Sequence, residues 1–480
     1  MRIAVVGAGI TGLTLGYRLE RHFRAADRSD EVVVLEAGAQ PGGHATTIIE
    51  DGYLVEAGAN GFLDRPREPQ VRSLVTELGL DSRLRETRAE ASRRFVRLDG
   101  RLRLVPRGPL SLITSDILSP CGKLRLLFEP FVGRARTETP ESVFEFAARR
   151  LGREAAENLV DTAVSGISAG DSRELALDAA FPAIAEMEHE HGGLIKAMFA
   201  RRRQPMAKIL SFDGGLATLI DALAHWLGPA LRTRAAVESI TREGTRWQLR
   251  LAGGELIEAD CVILTVSSHQ AASLLRSTDG ALASALDEIP FAGLAVVSLA
   301  YREIDLPRPL DGYGYLVARR EGLETLGVVW ESSLFEGRAP AGHVLLRCML
   351  GGVHRPDLAH QPEAELMLRA RSELGIVMGL RAAPIMTWVQ RRPRAIAQYT
   401  RGHHERVRRI RDIAARHPGL QLVGTSYDGI SFTAAVASAE RWASHVLRDM
   451  SAPKEPTSVR ASCFGAGAPS PRATEVNATS

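Results

Sequence analysis

The chain opens on a short apolar run, residues 1–6, that stops at Gly7-Ala8-Gly9-Ile10-Thr11-Gly12. A short β-branched block cut off by glycine predicts a buried strand turning into a helix. Val32-Val33-Val34-Leu35-Glu36 predicts a second strand, and Ala37-Gly38-Ala39-Gln40-Pro41-Gly42-Gly43 follows it. Residues 71–80 have helical periodicity and end near Gly79. Residues 92–105 alternate about Asp99-Gly100, which predicts a hairpin. Residues 110–203 read as mainly helical, with breaks at Pro120, Pro140 and 166–170. Ser211-Phe212-Asp213-Gly214-Gly215 opens a helix reaching Trp226, and a strand pair follows at 236–242 and 247–251. Asp260-Cys261-Val262-Ile263-Leu264-Thr265-Val266 predicts a buried strand, with a helix starting near His269. Residues 290–390 are strand-rich, 420–424 form a last short strand, and 434–450 a closing helix. Residues 451–480 are small, polar and proline-bearing, which predicts a disordered tail.

Composition adds limits to this pattern. At 480 residues the chain exceeds one domain's worth of core. It is 45% hydrophobic and 24% charged with a formal net charge of +3, so no strong global field exists. Basic charge is local: residues 391–411 hold eight arginines and one acid, Glu405. Such a run reads as a solvated helix face, or as a contact for anionic lipid head groups or substrate carboxylates. No aromatic platform interleaves it, which excludes nucleic acid as a partner. Cys121, Cys261, Cys348 and Cys463 are scattered, without CxxC or metal spacing. They read as free thiols of a reducing, cytoplasmic compartment, and no metal is expected. No apolar stretch reaches membrane-spanning length, and the chain starts on a strand rather than on a signal peptide.

The glycine spacing fixes the cofactor class. Gly7 permits the tight turn, Gly9 lets backbone approach a pyrophosphate, and Gly12 lets the helix pack close to the strand. Ile10 and Thr11 begin the helix whose N-terminus faces the phosphates. Glu36 and Ala37 close the second strand, where a carboxylate can accept from a ribose hydroxyl. The Gly42-Gly43 pair, with His44 after it, resembles the second phosphate contact of glutathione-reductase-like flavoproteins. The cofactor expected is FAD, with an NAD-binding Rossmann unit as the alternative.

The residues further resemble the protoporphyrinogen oxidases, within the wider group of flavin amine oxidases and phytoene desaturases. Besides the dinucleotide motif, four segments carry the resemblance: residues 52–65, Val164-Ser165-Gly166-Ile167-Ser168-Ala169-Gly170-Asp171, Ser211 to Leu216, and Cys348-Met349-Leu350-Gly351-Gly352. The resemblance covers about residues 1–448. It implies an α/β fold with α+β inserts: a Rossmann-like domain of glutathione-reductase type, interrupted by a helical insertion and a mixed-sheet substrate domain. The expected division is 1–85, 205–280 and 395–448 for the FAD-binding domain, 86–204 for a helical insertion facing substrate and membrane, 281–394 for the substrate sheet, and 449–480 for the tail. The implied reaction is oxidation of a porphyrinogen to a porphyrin, with molecular oxygen re-oxidising the flavin and hydrogen peroxide released. The flavin carries the redox step, so no catalytic side chain is required.

Carried over by resemblance, Arg94 grips a propionate of the tetrapyrrole, with Arg93 and Arg97 as rivals. Asn60 lies beneath the flavin near substrate, although Ala59 and Gly61 stand where the family has proline and serine. Gly58 reads as close backbone approach to the flavin. Leu316, Val329 and Met349 match positions that clamp the macrocycle, and Gly166 and Gly170 let backbone approach the reacting methylene. Val237 matches a residue meeting the adenine. Gly424 and Thr425 match the terminal flavin motif, and Ile430, Ser431 and Phe432 begin the last helix at the isoalloxazine. His44 stands where many flavin oxidases have arginine.

Residues 109–136 interleave apolar positions, Leu112, Ile117, Leu118, Leu124, Leu127, Phe128 and Phe131 among them, with Lys123, Arg125, Arg134 and Arg136. They read as packed helices or as an interfacial face docking peripherally on the inner face of a membrane. A homodimer is compatible with this reading. Competing functions are coproporphyrinogen III oxidation, another amine oxidase or desaturase activity, and a non-catalytic flavin-binding partner.

Overall fold

The computed structural model describes residues 1–134, 140–201 and 207–451. The expected tail beyond Ser451, with Cys463, and Arg136 of the 109–136 stretch lie outside the described residues.

Five parallel strands form the first sheet, in the order Leu231–Arg232, Glu31–Leu35, Arg2–Val6, Cys261–Leu264, Leu420–Leu422. Apolar residues on both faces make these strands buried on both sides, as parallel sheets require. Ile3, Val5, Val32 and Val34 pack one way, against helices Ile10–Ala25, Ala217–Leu227 and Phe432–Ser451. Ala4, Val6, Val33 and Leu35 pack the other way. There they meet an antiparallel sheet of Val237–Glu243, Arg246–Leu251 and Leu256–Ala259, and the helices Ser268–Leu275 and Gly280–Asp287.

The second large sheet has seven strands, in the order Met386–Ala397, Phe291–Arg302, His343–Gly351, Thr325–Trp330, Gly314–Val317, Arg94–Leu98, Arg101–Leu104. The hairpin about Asp99-Gly100 therefore joins this sheet, although it precedes the helices of residues 109–201. One face, with Val297, Tyr315, Trp330, Leu346 and Cys348, packs on Leu366, Ala370 and Leu374 of helix Glu363–Met378.

The arginine-rich run does not form one helix face. Arg391, Arg392 and Arg394 lie on strand Met386–Ala397, whereas Arg406, Arg408, Arg409 and Arg411 lie on helix His403–Ala414. Proline 393 and the β-branched neighbourhood of Ile396 suit a strand, and Gly402, with φ of 79°, separates it from the helix. Within residues 109–134 the apolar positions divide. Ile117 and Leu118 are core, while Leu124, Leu127, Phe128 and Phe131 face solvent.

A buried ion pair joins the two-stranded sheet of Thr47–Glu50 and Tyr53–Glu56 to the loop that precedes strand His343–Gly351. Glu56, at the end of strand Tyr53–Glu56, accepts from the Leu216 amide at 2.9 Å and the Thr47 hydroxyl at 2.8 Å, and meets Arg338 at 3.2 Å. Arg338 also donates to Ser211 Oγ at 2.7 Å. Both partners are fully buried, and burial raises the Glu56 carboxyl above the ordinary carboxylate range although Arg338 opposes it. Removing one member of such a pair strands the other. Arg338→Met should cost about 3–5 kcal/mol of unfolding free energy, read as a lower urea midpoint at unchanged slope.

Candidate functional site

Three glycine turns meet at the N-terminus of helix Ile10–Ala25. Gly7 has φ of 101°, which favours glycine, and a Cβ on Gly12 would fall 1.9 Å from the Gly7 carbonyl oxygen. Gly9, the residue before the helix, has open space where its Cβ would be. The Gly42 amide donates to Ala8 O at 2.8 Å, and Gly9 and Gly42 form an isolated parallel bridge. A Cβ on Gly43 would lie 3.4 Å from Gly9 Cα. Gly424, with φ of 126°, stands beside Thr11. The rim around Gly9 is thus lined by backbone, and the first-turn amides of Ile10, Thr11 and Gly12 lack intrahelical acceptors. Glu36 is half-buried and accepts from the amides of Ala8 at 2.9 Å and Gly38 at 2.8 Å. This sets the carboxylate beside the turn, with Ala37 exposed next to it. Arg234 N donates to Gly38 O and Ala235 N to Glu36 O, each at 2.8 Å, which brings the strand beginning at Val237 to the same edge.

At the far end of the cleft, Ile430 packs into the core beneath the cofactor sheet, and Ser431 Oγ caps Ala434 N at 3.0 Å. Phe432 stacks on Phe62 at 6.0 Å between centroids. Thr425 is exposed. His44 follows the second glycine turn. Desolvation, with the Arg392 and His269 charges, lowers its imidazole from 6.5 to about 4, so it is neutral at pH 7.

Strand register puts the four sheet positions on one face. Across the sheet, Arg94 pairs with Gly314, Gly314 with Val329, Val329 with Arg347 and Arg347 with Ser298. The adjoining row runs Leu316, Gly327, Met349, Val296. Directly opposite residues share a face, so Arg94, Leu316, Val329 and Met349 stand together, opposite in parity to the packed core. Of the rival arginines, Arg93 pairs with Asp311, and Arg97 pairs with Glu321 at 3.2 Å. Arg94 has no carboxylate partner among the described residues, and its guanidinium lies 5.1 Å from the Tyr313 ring centroid.

The glycines expected to approach ligand are each required by protein neighbours as well. A Cβ on Gly58 would fall 1.8 Å from His44 O, one on Gly166 would fall 2.3 Å from Leu316 Cδ2, and one on Gly170 would fall 2.3 Å from Gln398 Oε1. The left-handed residue after helix Thr162–Ser168 is Ala169, not Gly170. A Cβ on Gly61 would press to 2.7 Å on Leu210 O. Asn60 and Ala59 are half-buried, and Asn60 Nδ2 lies 3.5 Å from Glu331 Oε1.

The flavin-containing amine oxidoreductase family matches residues 10–447. The chain belongs to that family. It is 31% identical to the chloroplastic protoporphyrinogen oxidase of Oryza sativa subsp. japonica, over 92% of this chain and 87% of that one. It is 28% identical to the coproporphyrinogen III oxidase of Bacillus subtilis (strain 168), over 89% and 94%. A solved structure from Exiguobacterium sp. 255-15 matches with a TM-score of 0.80 at 26% identity, covering 92% of this chain and 98% of that one. The protein is therefore a flavin-dependent oxidoreductase with FAD as cofactor. The side-chain-free rim at Gly9 and the unbonded amides of the first helical turn fit a dinucleotide diphosphate.

Two features of this flavin oxidoreductase were not visible in the pattern of residues. Arg347, in the Arg94 row and 6% exposed, donates to Gly58 O and stands 3.7 Å from buried Glu331. It clamps the sheet to the loop carrying Ala59 and Asn60. The segment 398–403 joins the glycine turn after helix Thr162–Ser168 to the terminal flavin loop. Gln398 Nε2 donates to Ser168 O at 2.9 Å. Tyr399 Oη donates to Thr425 O at 2.9 Å and accepts from Gly429 N at 2.7 Å. Its ring stacks on His403 at 3.8 Å.

Both His403 ring nitrogens are buried without a partner. Burial, with the charges of Arg406, His404 and Arg411, lowers this imidazole from 6.5 to about 3. Between those values the unfolded chain binds a proton that the folded chain refuses, so stability falls on acidification below 6.5. The slope from this residue is at most about 1.4 kcal/mol per pH unit. His403→Phe, which keeps a stacking ring, should flatten the decline of urea midpoints between pH 6.5 and pH 4.5; an unchanged decline would assign it to other groups.

Proposed function

We propose that the chain oxidises protoporphyrinogen IX to protoporphyrin IX, with dioxygen as acceptor and hydrogen peroxide as co-product. The observation carrying this reading is the uncommitted Arg94 guanidinium at the end of an apolar row made by Leu316, Val329 and Met349. Bound FAD would supply a two-electron acceptor for hydride from the macrocycle, and three rounds, each passing two electrons to one dioxygen to give one hydrogen peroxide, would balance the six-electron oxidation. The chain's residues do the rest by placement. Arg94 holds a propionate bidentately, which fixes the rotation of the macrocycle in its plane. Leu316 and Met349 offer one apolar side to the ring from a shared sheet face, and Gly166, packed directly on Leu316, fixes that side chain. Burial of Val329 and Met349 among Tyr313, Ile209 and Phe335 excludes water from the reacting centre.

The relatives divide between two substrates, and coproporphyrinogen III carries four propionates where protoporphyrinogen IX carries two. Arg93 and Arg97, on the other side of the strand from Arg94, are neutralised by acids, and Arg347, in the Arg94 row, is engaged by Gly58 and Glu331, which supports the substrate with fewer carboxylates. An aerobic assay with both porphyrinogens, followed by porphyrin fluorescence, should give the higher kcat/KM for protoporphyrinogen IX. Arg94→Ala should lower that ratio about 10²-fold, chiefly through KM; an unchanged ratio would remove Arg94 from the site.

A peripheral contact with the inner face of the membrane is part of this proposal. No helix among the described residues is long and apolar enough to cross a bilayer. Leu124, Leu127 and Phe128 are exposed, Phe131 is 83% exposed, and Met198 and Phe199 of the adjoining helix Leu194–Arg201 are exposed too. Several such side chains beside Lys123, Arg125 and Arg134 suit an anionic surface. Phe131→Asp together with Leu127→Asp should abolish co-sedimentation with anionic liposomes, and failure of the unaltered protein to sediment would end this part of the proposal.

A further inference from the structure

We propose that Arg392 is the cation that neutralises the diphosphate of the bound flavin dinucleotide. The inference rests on FAD being the cofactor and goes further by naming a residue from the substrate sheet as part of its binding site. Arg392 sits on strand Met386–Ala397 and reaches back to the second glycine turn, where its Nη2 lies 3.4 Å from Gly43 O. Gly43 in turn adjoins Gly9, at the open end of the first helix.

Several other arginines of the run meet acids, although Arg394, Arg406 and Arg408 form no ion pair among the described residues. Arg391 approaches Glu363 at 3.7 Å, Arg401 pairs with Glu145 at 2.8 Å, and Arg411 pairs with Asp428 at 2.6 Å. Arg392 has no carboxylate within ion-pair distance among the described residues, and its Nε is buried without a partner. Burial lowers its pKa from the usual guanidinium value, with no acid opposing the shift. A half-buried charge left this way is costly unless an anion completes it. The surroundings reinforce the sign. His44 and His269 are the other titratable groups acting here, and no carboxylate acts on His44. His44 is neutral at pH 7 and cannot supply the charge itself.

A diphosphate at Gly9 would meet two kinds of positive charge. The helix N-terminus offers backbone amides. Arg392 offers a planar fork whose geometry matches phosphate oxygens. Because Arg392 belongs to the second sheet, filling the site would also draw that sheet's edge strand to the glycine rim.

The test compares FAD, ADP and riboflavin as ligands of protein freed of flavin, for the unaltered chain and for Arg392→Gln and Arg392→Lys. ADP carries the diphosphate without the isoalloxazine, and riboflavin the isoalloxazine without phosphate. Arg392→Gln should weaken FAD and ADP about 10- to 100-fold and leave riboflavin unchanged. Arg392→Lys should recover part of the loss, since it restores charge without the fork. Equal FAD and ADP affinities in Arg392→Gln and the unaltered chain would overturn the inference. So would an equal loss for riboflavin, which would put the guanidinium at the isoalloxazine. An unaltered chain that bound neither FAD nor riboflavin would overturn the cofactor assignment first, and that failure is distinct from the other two. Matching thermal midpoints of the flavin-free variants exclude misfolding as the source of any loss.

Discussion

The loop that carries Gly58, Ala59 and Asn60 is held in place by buried charge on either side of it. Glu56 is the centre of that hold. Its two oxygens gather the Leu216 amide, the Thr47 hydroxyl and the Arg338 guanidinium, each from a different part of the chain. Arg347 adds a second tie from the seven-stranded sheet to Gly58 O. Hydrophobic burial would tolerate a sliding contact. Directional bonds to a desolvated carboxylate do not, because any shift leaves a charge without its partners. The loop 57–61 is thereby fixed by the two ties.

The cleft has two walls with different physics. The cofactor wall is nearly free of side chains at its core: Gly7, Gly9, Gly12, Gly42, Gly43 and Gly424 present backbone. That suits a ligand recognised through amides and a helix end. The proposed substrate wall is a sheet face, where register rather than loop conformation decides which side chains stand together. Arg94 comes from a hairpin more than 200 residues before its partner strands at Leu316, Val329 and Met349, yet the ladder fixes it in their row. A strand register of this kind fixes side-chain positions more firmly than a set of loops could.

How much of this was legible in the chain follows from how local each cause is. The first glycine turn, Glu36 and the Gly42-Gly43 pair could be read directly, because their constraints act within a few residues on backbone conformation. Gly58, Gly166 and Gly170 were legible as positions intolerant of a side chain, but not the atoms that forbid it: His44 O, Leu316 and Gln398 are remote in sequence. The choice among Arg93, Arg94 and Arg97 could not be made from the strand alone. It depends on Asp311 and Glu321, which lie 218 and 224 residues further along. The arginine-rich run misled for a related reason. Its charge density suggested one solvated helix, but Gly402 splits it into strand and helix, and each arginine takes its meaning from whichever acid the fold supplies.

The cofactor sheet has a further consequence for how the protein is made. Its five strands come from residues 2–6, 31–35, 231–232, 261–264 and 420–422, and the last of them pairs directly with the fourth. Gly424 then reaches Thr11, beside the very first turn. While the ribosome is still adding residues, the opening strands have no complete sheet to join, and their apolar edges stay uncovered. The dinucleotide pocket closes only when nearly the whole folded body has emerged. Cofactor loading must therefore wait until the chain up to about Gly424 has been made.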